Sequence, residues 1–164
     1  MTGDLSTQRL QDIVGAELAK LKPLWVIQNS THFFKAARCE VDVLSQARSG
    51  LLVEVEIKRT TSDAAADSRK RRWDFMEEVV VDGRIDLSSP LLGVDRIPSR
   101  HYMAAEPGVI RDVDLHPWSG LIEIDPYGDK ITVVKRAPLL HSERPNFFRT
   151  MRYIARRSTR REFG

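Results

Sequence analysis

Apolar residues recur at helical spacing in the first part of the chain. They stand close to the 3.6-residue period of an amphipathic helix, and Pro23 follows as a stop signal. The pattern predicts a helix from about residue 6 to residue 21. Its apolar positions are Leu10, Ile13, Val14, Leu18 and Leu21.

The next segments alternate between apolar and polar residues with the two-residue period of β-strands. Residues 24–30 form a first predicted strand. Residues 36–46 and 51–59 form a predicted hairpin, with its turn near Ser49 and Gly50. Three strands therefore follow the first helix.

Helical spacing returns over residues 60–81, where Trp73, Met76 and Val80 would form the buried stripe of a second helix. Glycine and proline in residues 82–96 then predict a loop. The second helix would cover one face of the sheet, and the loop would lead to the next strand.

The rest of the chain predicts more strands and a final helix. Residues 100–106 read as a strand, 120–137 as a hairpin and about 143–161 as a basic helix. The element order is αβββαβ, followed by the hairpin and the last helix. We therefore expect a single α/β domain over residues 1–164, with its core at about 5–140 and a small mixed sheet flanked by helices.

The hairpin carries an unusual number of charges in register. Side chains alternate along a strand, so Glu54, Glu56 and Lys58 share one face, while Glu40 and Asp42 share a face of the preceding strand. An amphipathic hairpin with one solvated face explains this pattern in any single strand. The alternative is a site, because carboxylates on adjacent strands can share a divalent cation such as Mg²⁺ or Mn²⁺.

Two further charges fit the alternative. Lys58 would project beside Glu56, where its ammonium group could orient a water or stabilise a charged transition state. Glu17 falls in the middle of the apolar arc of the first helix. A carboxylate there is costly unless it is paired or bound to a metal. A metal-site role, a salt bridge with a lysine or arginine at the buried edge, and a locally exposed helix all remain open.

These residues resemble the PD-(D/E)XK nuclease superfamily, whose core has the order αβββαβ. The resemblance rests on Asp42 and, fourteen residues further on, Glu56-Ile57-Lys58. A bacterial and phage branch is similar over about residues 36–141, through the segments EVDVL, GLLVEVEIKRTTSDAAAD and SGLIEID followed by KITVVKRAPLLH. The proline of the motif is absent, since Glu40-Val41 precede Asp42; Glu40 is therefore a second candidate for the first ligand.

The resemblance implies a restriction-endonuclease-like fold and metal-dependent hydrolysis of phosphodiester bonds. Asp42, Glu56 and the backbone carbonyl of Ile57 would bind Mg²⁺, with Mn²⁺ as a substitute. Glu17 would complete the ligand shell, and Lys58 would position the attacking water. The catalytic residues would then be Asp42, Glu56, Lys58 and Glu17.

The basic residues suggest the partner. The net charge is only +3, but residues 144–161 hold seven arginines and residues 69–72 read RKRR. Such clusters favour nucleic acid, although a solvated helix face or a basic tail explains them too. The residues predicted to contact DNA phosphates are Arg59, Arg69, Lys70, Arg71, Arg72, Arg152 and Arg156.

Several other functions lack a signal in the sequence. Cys39 is the single cysteine, the four histidines show no metal-ligand spacing, and no phosphate-binding glycine motif is present. No apolar run approaches the roughly 20 residues that span a bilayer. We expect a cytoplasmic protein of a bacterial or phage-infected cell, with no membrane partner and with homodimer formation left open.

The sequence thus predicts a metal-dependent deoxyribonuclease. Its small size favours recognition of DNA structure, as in repair, recombination or junction-resolving endonucleases. Two other functions remain open: a non-catalytic nucleic-acid-binding module on a nuclease-like fold, and a structural protein with an amphipathic hairpin. The segment DLHPWSG, residues 114–120, is predicted to be a loop near the site, with no assigned chemistry.

Overall fold

The first helix forms where the apolar spacing predicts it. In the computed structural model, α1 spans Thr7–Lys20, and the Oγ of Ser6 accepts a hydrogen bond from the backbone N–H of Arg9 at 3.2 Å as its N-cap. Leu21, predicted to be buried, is instead 76% exposed because it lies at the C-cap, beyond the last turn that packs on the sheet. The described residues are 6–31, 33–34, 40–67, 70 and 73–162.

A mixed six-stranded sheet forms the centre of the fold, in the spatial order β1-β2-β3-β6-β7-β8. The β3–β6 and β6–β7 pairs are parallel and the other three pairs are antiparallel. The predicted α/β class, with a mixed sheet flanked by helices, is confirmed. The six strands are β1 (Trp25–Thr31), β2 (Glu40–Gln46), β3 (Leu52–Ile57), β6 (Arg100–Ala105), β7 (Ser119–Asp125) and β8 (Lys130–Lys135).

The segment between β3 and β6 is not one long helix. It contains two short helices and a two-stranded hairpin, which are α2 (Thr61–Ala66), α3 (Met76–Val79), β4 (Val80–Val81) and β5 (Arg84–Ile85). The prediction of one continuous helix over 60–81 is therefore wrong. The prediction that Val80 is buried is wrong as well, because its neighbour Val79 is the buried residue. The predicted loop begins with the β4–β5 hairpin.

The side chains of this segment explain why the helix breaks. Asp67 and Trp73 are both buried, and Trp73 Nε1 donates to Asp67 Oδ2 at 3.3 Å. In a continuous helix, residues six apart lie about 120° apart around the axis, so both could not face the sheet. Turns in which Lys70 N donates to Asp67 O and Trp73 N to Lys70 O bring them to one surface.

Different elements pack on the two faces of the sheet. Val43, Val55 and Ile57 pack with α1 in one apolar cluster. On the opposite face, Met103 and Ala105 of β6 pack with Ala64 of α2, and a cluster around Trp73 and Met76 lies beside them. Because side chains alternate along β3, Glu54, Glu56 and Lys58 belong to this second face.

The last helix, α4 (Phe147–Glu162), covers the β1 end of that second face. Tyr153 packs in a cluster with Phe33, Leu44 and Leu52, and its hydroxyl lies 2.6 Å from Ser30 Oγ. The predicted basic C-terminal helix is therefore confirmed as an element. Among the described residues, no helix is long and apolar enough to cross a membrane.

Candidate functional site

The charged face of β3 is buried. Glu54 is 0%, Glu56 6% and Lys58 1% exposed. A solvated face on an amphipathic hairpin is therefore excluded, because Asp67 and Lys70, from the segment after α2, and His101 of β6 pack against these side chains. Burying charges is unfavourable unless each one finds a partner, so the contacts of Glu56 and Lys58 define the site.

Asp42 lies where β2 and β3 stop pairing. The ladder between them ends at the Val43–Val55 pair, so the next positions along the strands are Asp42 and Glu56. Asp42 Oδ2 accepts a hydrogen bond from the backbone N–H of Ile57 at 2.7 Å, which replaces a ladder hydrogen bond. The two carboxylates, from neighbouring strands, are thereby brought to the same end of the hairpin.

The pairing of β1 with β2 is also irregular at this point. Asn29 falls between the paired positions Gln28–Val43 and Ser30–Val41, and it has a left-handed φ of 50°. Asparagine is one of the residues that tolerate this conformation. Backbone irregularities of this kind are common at functional sites, and this one lies beside Asp42.

Gln11 of α1 joins the two irregular positions. Its Nε2 donates to Asp42 Oδ1 at 3.0 Å and to Asn29 Oδ1 at 2.9 Å. Gln11 is buried, so its amide is fixed between the helix and the sheet. The neutral donor satisfies one oxygen of the Asp42 carboxylate without cancelling its charge.

Glu56 and Lys58 belong to a compact ionic network. Lys58 Nζ donates to Glu56 Oε1 at 3.2 Å and to Asp67 Oδ1 at 2.6 Å. Lys70 Nζ donates to the same Glu56 oxygen and lies 2.8 Å from Asp67 Oδ1. Two ammonium groups thus bridge two carboxylates, while the other oxygen of Glu56, Oε2, is buried and has no hydrogen-bond partner among the described residues.

Asp67 is further held by aromatic residues. His116 Nε2 donates to Asp67 Oδ2 at 2.9 Å, and the Trp73 indole donates to the same oxygen. The His116 ring stacks on Trp118 with 4.5 Å between centroids. The DLHPWSG segment therefore supplies a residue of the network, linked to Glu56 through Asp67 and Lys58.

The pKa values of three groups at the site, Asp42, Asp67 and Lys70, are shifted, and the directions differ. Burial, and next the charge of Glu56, raises the pKa of Asp42 from 3.8 to about 6. Burial alone would raise the pKa of Asp67, but the His116 hydrogen bond and the charges of Lys58 and Lys70 outweigh it and hold that pKa well below its usual range. Burial disfavours the charged form of Lys70 and would lower its pKa, but the negative charges of Glu56 and Asp67 outweigh burial and raise that pKa. The negative charge of Asp42 is thus less well compensated by its neighbours than that of Asp67.

A second polar cluster lies deeper on the same face. His101 of β6 lies opposite Glu54, with 3.7 Å between Nε2 and Oε1, and its Nδ1 lies 2.7 Å from Ser119 Oγ. The three residue types match a nucleophilic triad. Each of them is 0% exposed, however, so no substrate can reach the serine, and the cluster serves to pair buried polar groups between strands.

The other predicted residues fall at different places. Glu17 pairs with Lys20 on its own helix, and its side chain is 17% exposed. It lies about 9 Å further along α1 than Gln11 and about 120° around the axis, so Gln11 is the helix residue at Asp42. Glu17 is thus only partly buried, and of the open alternatives the salt bridge is the contact observed. Glu40 is exposed.

The predicted DNA-binding residues are dispersed. Arg59, Arg152 and Arg156 have exposed side chains, and Lys70 is held by Glu56 and Asp67. Three of the predicted DNA-binding residues, Arg69, Arg71 and Arg72, lie outside the described residues, and so does the single cysteine, Cys39. Among the described members of the predicted basic set, Lys70 is the one seen to contact the carboxylates Glu56 and Asp67.

Four residues of the site, Gln11, Asn29, Asp67 and His116, were not predicted from the sequence. Each is a polar residue with a partner distant in sequence, such as the pair Asp67 and His116. Gln11 carried a weak signal, since it is a polar residue next to the apolar arc of α1, and His116 carried one as part of the DLHPWSG segment. Asn29 and Asp67 carried none, because a local pattern does not show which segment folds over the charged face of β3.

The donor set fits a hard divalent cation. Asp42 and Glu56 offer carboxylate oxygens, and the unpartnered Oε2 of Glu56 is the kind of buried atom that a cation would satisfy. Within the described ranges, no group of three or more histidine, cysteine, aspartate or glutamate residues could hold a metal. Mg²⁺ is commonly held by one or two carboxylates together with waters, so a larger group is not required.

Comparisons with known proteins support the fold alone. No protein-family model matches the chain, and no curated protein matches it. A solved structure, that of a protein of unknown function from Silicibacter pomeroyi, is similar with a TM-score of 0.58 and 23% identity, covering 96% of this chain and 90% of that one. The two chains share an α/β fold over nearly their whole length.

Proposed function

We propose that this protein is a metal-dependent nuclease that hydrolyses phosphodiester bonds in DNA. The observation that carries the proposal is that Asp42 and Glu56 lie at the same end of the β2–β3 hairpin, just beyond its last pair, with Lys58 bonded to Glu56. The order of α1, three strands, a helical segment and the parallel strand β6 fits the restriction-endonuclease-like core of the superfamily that the sequence resembles.

Asp42, Glu56 and the Ile57 carbonyl would hold the cation. When bound there, Mg²⁺ or Mn²⁺ would polarise the phosphate and lower the pKa of a coordinated water. The hydrogen bonds from Ile57 and Gln11 fix the rotamer of Asp42, so that it is oriented before a ligand arrives.

Lys58 would stabilise negative charge that develops on the phosphate and orient the attacking water. Its ammonium group is held at a fixed position by Glu56 and Asp67. Asp67 is in turn held by His116, which makes both of them positioning residues that act through Lys58. Lys70 would have to leave Glu56 when a cation binds, because both compete for the same carboxylate.

A non-catalytic nucleic-acid-binding module is the second candidate function. The observation that favours it is that Lys58 and Lys70 already neutralise Glu56 through ion pairs. In such a module these pairs would replace the metal permanently, and the basic residues would provide salt-sensitive binding without cleavage.

The test is cleavage of labelled linear duplex, single-stranded, flap and four-way-junction DNA in Mg²⁺, Mn²⁺ or EDTA. Lys58→Met is the informative variant, because it keeps the side-chain volume and leaves Lys70 to pair with Glu56 and Asp67. Lys135→Ala is the matched control, since this exposed lysine lies on β8, three strands away from β3.

We expect cleavage that requires a divalent cation, is lost in Lys58→Met and is retained in Lys135→Ala. The preferred DNA would identify the type of nuclease. Tight binding without cleavage, unaffected by EDTA, would support the binding module instead. Cleavage that Lys58→Met leaves unchanged would contradict the assignment of this site.

A further inference from the structure

A basic and aromatic pocket opens beside α4, outside the carboxylate site. Its volume is about 390 Å³, within the range of about 300–1,000 Å³ that is typical of small-ligand pockets. The residues that line it are Phe33, Asn146, Phe148, Arg149, Arg152, Tyr153 and Arg156. The pocket thus combines three arginines with three aromatic rings. A purely apolar ligand would not require the arginines.

The back of the pocket is rigid. Arg149 donates to the carboxylate of Asp95 and to the backbone carbonyl of Phe33, and its guanidinium carbon lies 5.5 Å from the centre of the Phe33 ring. The Tyr153 ring packs edge-on against Phe33 with 5.1 Å between centroids. These contacts hold Phe33, Arg149 and Tyr153 in place, so they form the wall of the pocket.

The front of the pocket is open to solvent, and the positive charges there have no acidic partner among the described residues. Arg152 and Arg156 lie one helical turn apart on the same side of α4, and neither makes a hydrogen bond or ion pair with the residues that the structure describes. The Phe148 side chain is 78% exposed. A charged pair next to an exposed ring suits a ligand that has both a negative charge and a flat apolar surface.

We infer that this pocket binds an unpaired nucleotide of a nucleic-acid strand. Arg152 and Arg156 would contact the phosphates, and Phe148 would stack on the base, which duplex DNA would keep inside its helix. This inference rests on the proposed function, because it names the form of the substrate: DNA with a single-stranded part.

The position of the pocket agrees with that role. Leu44 and Leu52, which pack with Tyr153, lie on the sheet face opposite α1, the face that also carries Glu56 and Lys58. Tyr153 contacts Ser30, whose neighbour Asn29 shares the Gln11 amide with Asp42. A strand held in the pocket would thus begin next to the candidate site.

The experiment measures the binding of fluorescein-labelled oligo(dT) to the full chain by anisotropy in EDTA, where metal-dependent cleavage cannot occur. Phe148→Ala tests the stacking ring, and Tyr127→Ala is its control, because Tyr127 is an exposed aromatic residue in the turn between β7 and β8 and does not line the pocket. A blunt duplex and an abasic oligonucleotide of the same length are the comparison ligands.

We expect Phe148→Ala to weaken oligo(dT) binding by at least about fivefold, since stacking on an aromatic ring contributes that much or more per base. Tyr127→Ala should change it by less than about twofold by the same measure. The abasic strand and the duplex should both bind more weakly than oligo(dT). Equal effects of Phe148→Ala and Tyr127→Ala, or equal binding of the abasic strand, would overturn the inference.

The arginines are tested through the dependence of binding on salt. Each phosphate contact contributes about 0.7 to the slope of log affinity against log salt for single strands, so Arg152→Ala with Arg156→Ala should reduce the slope by about 1.4. Arg136→Ala, at an exposed position after β8, should leave it unchanged. An unchanged slope in the double variant would overturn the inference.

The outcomes separate this inference from the nuclease proposal. A protein that cleaves duplex DNA but shows no effect of Phe148→Ala retains the proposed function and loses the pocket. A protein that never cleaves but depends on Phe148 for binding oligo(dT) retains the pocket and loses the nuclease.

Discussion

Replacement of Asp42 by asparagine should stabilise the folded protein at neutral pH when no divalent cation is present. The Asp42 carboxylate is partly buried beside Glu56, and its pKa rises from 3.8 to about 6. Because the folded-state pKa is raised, this group contributes most to stability below about pH 4, in its protonated form, and that contribution is lost as the pH rises through about 6. Asparagine remains neutral throughout this range.

The size of the effect follows from the pKa difference. Each pKa unit is worth about 1.36 kcal/mol, so the change from 3.8 to about 6 corresponds to about 3 kcal/mol at neutral pH. The side chain is only partly buried and is screened by solvent, so we expect a stabilisation of about 1–2 kcal/mol. The asparagine oxygen can still accept the hydrogen bond from Ile57 N that Asp42 accepts at 2.7 Å, whereas its amide nitrogen cannot accept from Gln11 Nε2 as Asp42 Oδ1 does at 3.0 Å. The loss of this second hydrogen bond places the expected stabilisation at the lower end of that range.

The assay is urea unfolding in EDTA, followed by the fluorescence of Trp25, Trp73 and Trp118, at about pH 4.5 and about pH 7.5, on either side of the folded pKa. The quantity of interest is the free energy of unfolding of Asp42→Asn minus that of the wild type. Other groups titrate in both proteins and cancel in this difference. Asp74→Asn, at an exposed position, is the control for removal of a negative charge.

The difference should grow by about 1 kcal/mol or more between the two pH values for Asp42→Asn, and stay near zero for Asp74→Asn. A difference that is the same at both pH values would show that Asp42 carries no uncompensated charge. A variant less stable than the wild type at neutral pH would refute the electrostatic argument and indicate that the hydrogen-bond geometry dominates.

Three further predictions concern the same network. Mg²⁺ should raise the melting temperature of the wild type but not of Asp42→Asn; equal shifts in differential scanning fluorimetry would place the cation elsewhere. Asp67→Ala should lower the free energy of unfolding by about 3–5 kcal/mol in urea titrations, because it leaves the buried Lys58 short of a partner, whereas a loss below about 1 kcal/mol would show that Glu56 alone suffices. Gln11→Ala should reduce the Mg²⁺-induced shift more than Glu17→Ala does, and the reverse order would restore Glu17 as the ligand from α1.

The sequence predicted the main elements because each has a local physical cause. The apolar positions of α1 and the alternation in β2 and β3 reflect burial on one side, which the neighbouring residues already specify. The alternation also placed Glu54, Glu56 and Lys58 on one face. Whether that face was solvated or buried was not a local property, and both alternatives stayed open.

The segment after β3 shows where local reasoning fails. Helical spacing favoured one helix over 60–81, but the buried partners of Asp67 and Trp73 required a series of tight turns. The free energy of satisfying a buried carboxylate exceeds the small differences in helix propensity among the residues between them. Tertiary contacts therefore decided the backbone of this segment.

By itself, the sequence determined which residues could share a face: strand periodicity grouped Glu54, Glu56 and Lys58 on one strand and left Glu40 and Asp42 as alternatives on its neighbour. Only the tertiary structure decided their partners, since Gln11 and His116 arrive from a helix and a loop that lie far away in sequence, and Asp67 from the turn after α2 that folds over β3. The physical reason is that periodicity is set by the geometry of one strand or helix. The pairing of a buried charge is set by whichever distant segment covers it.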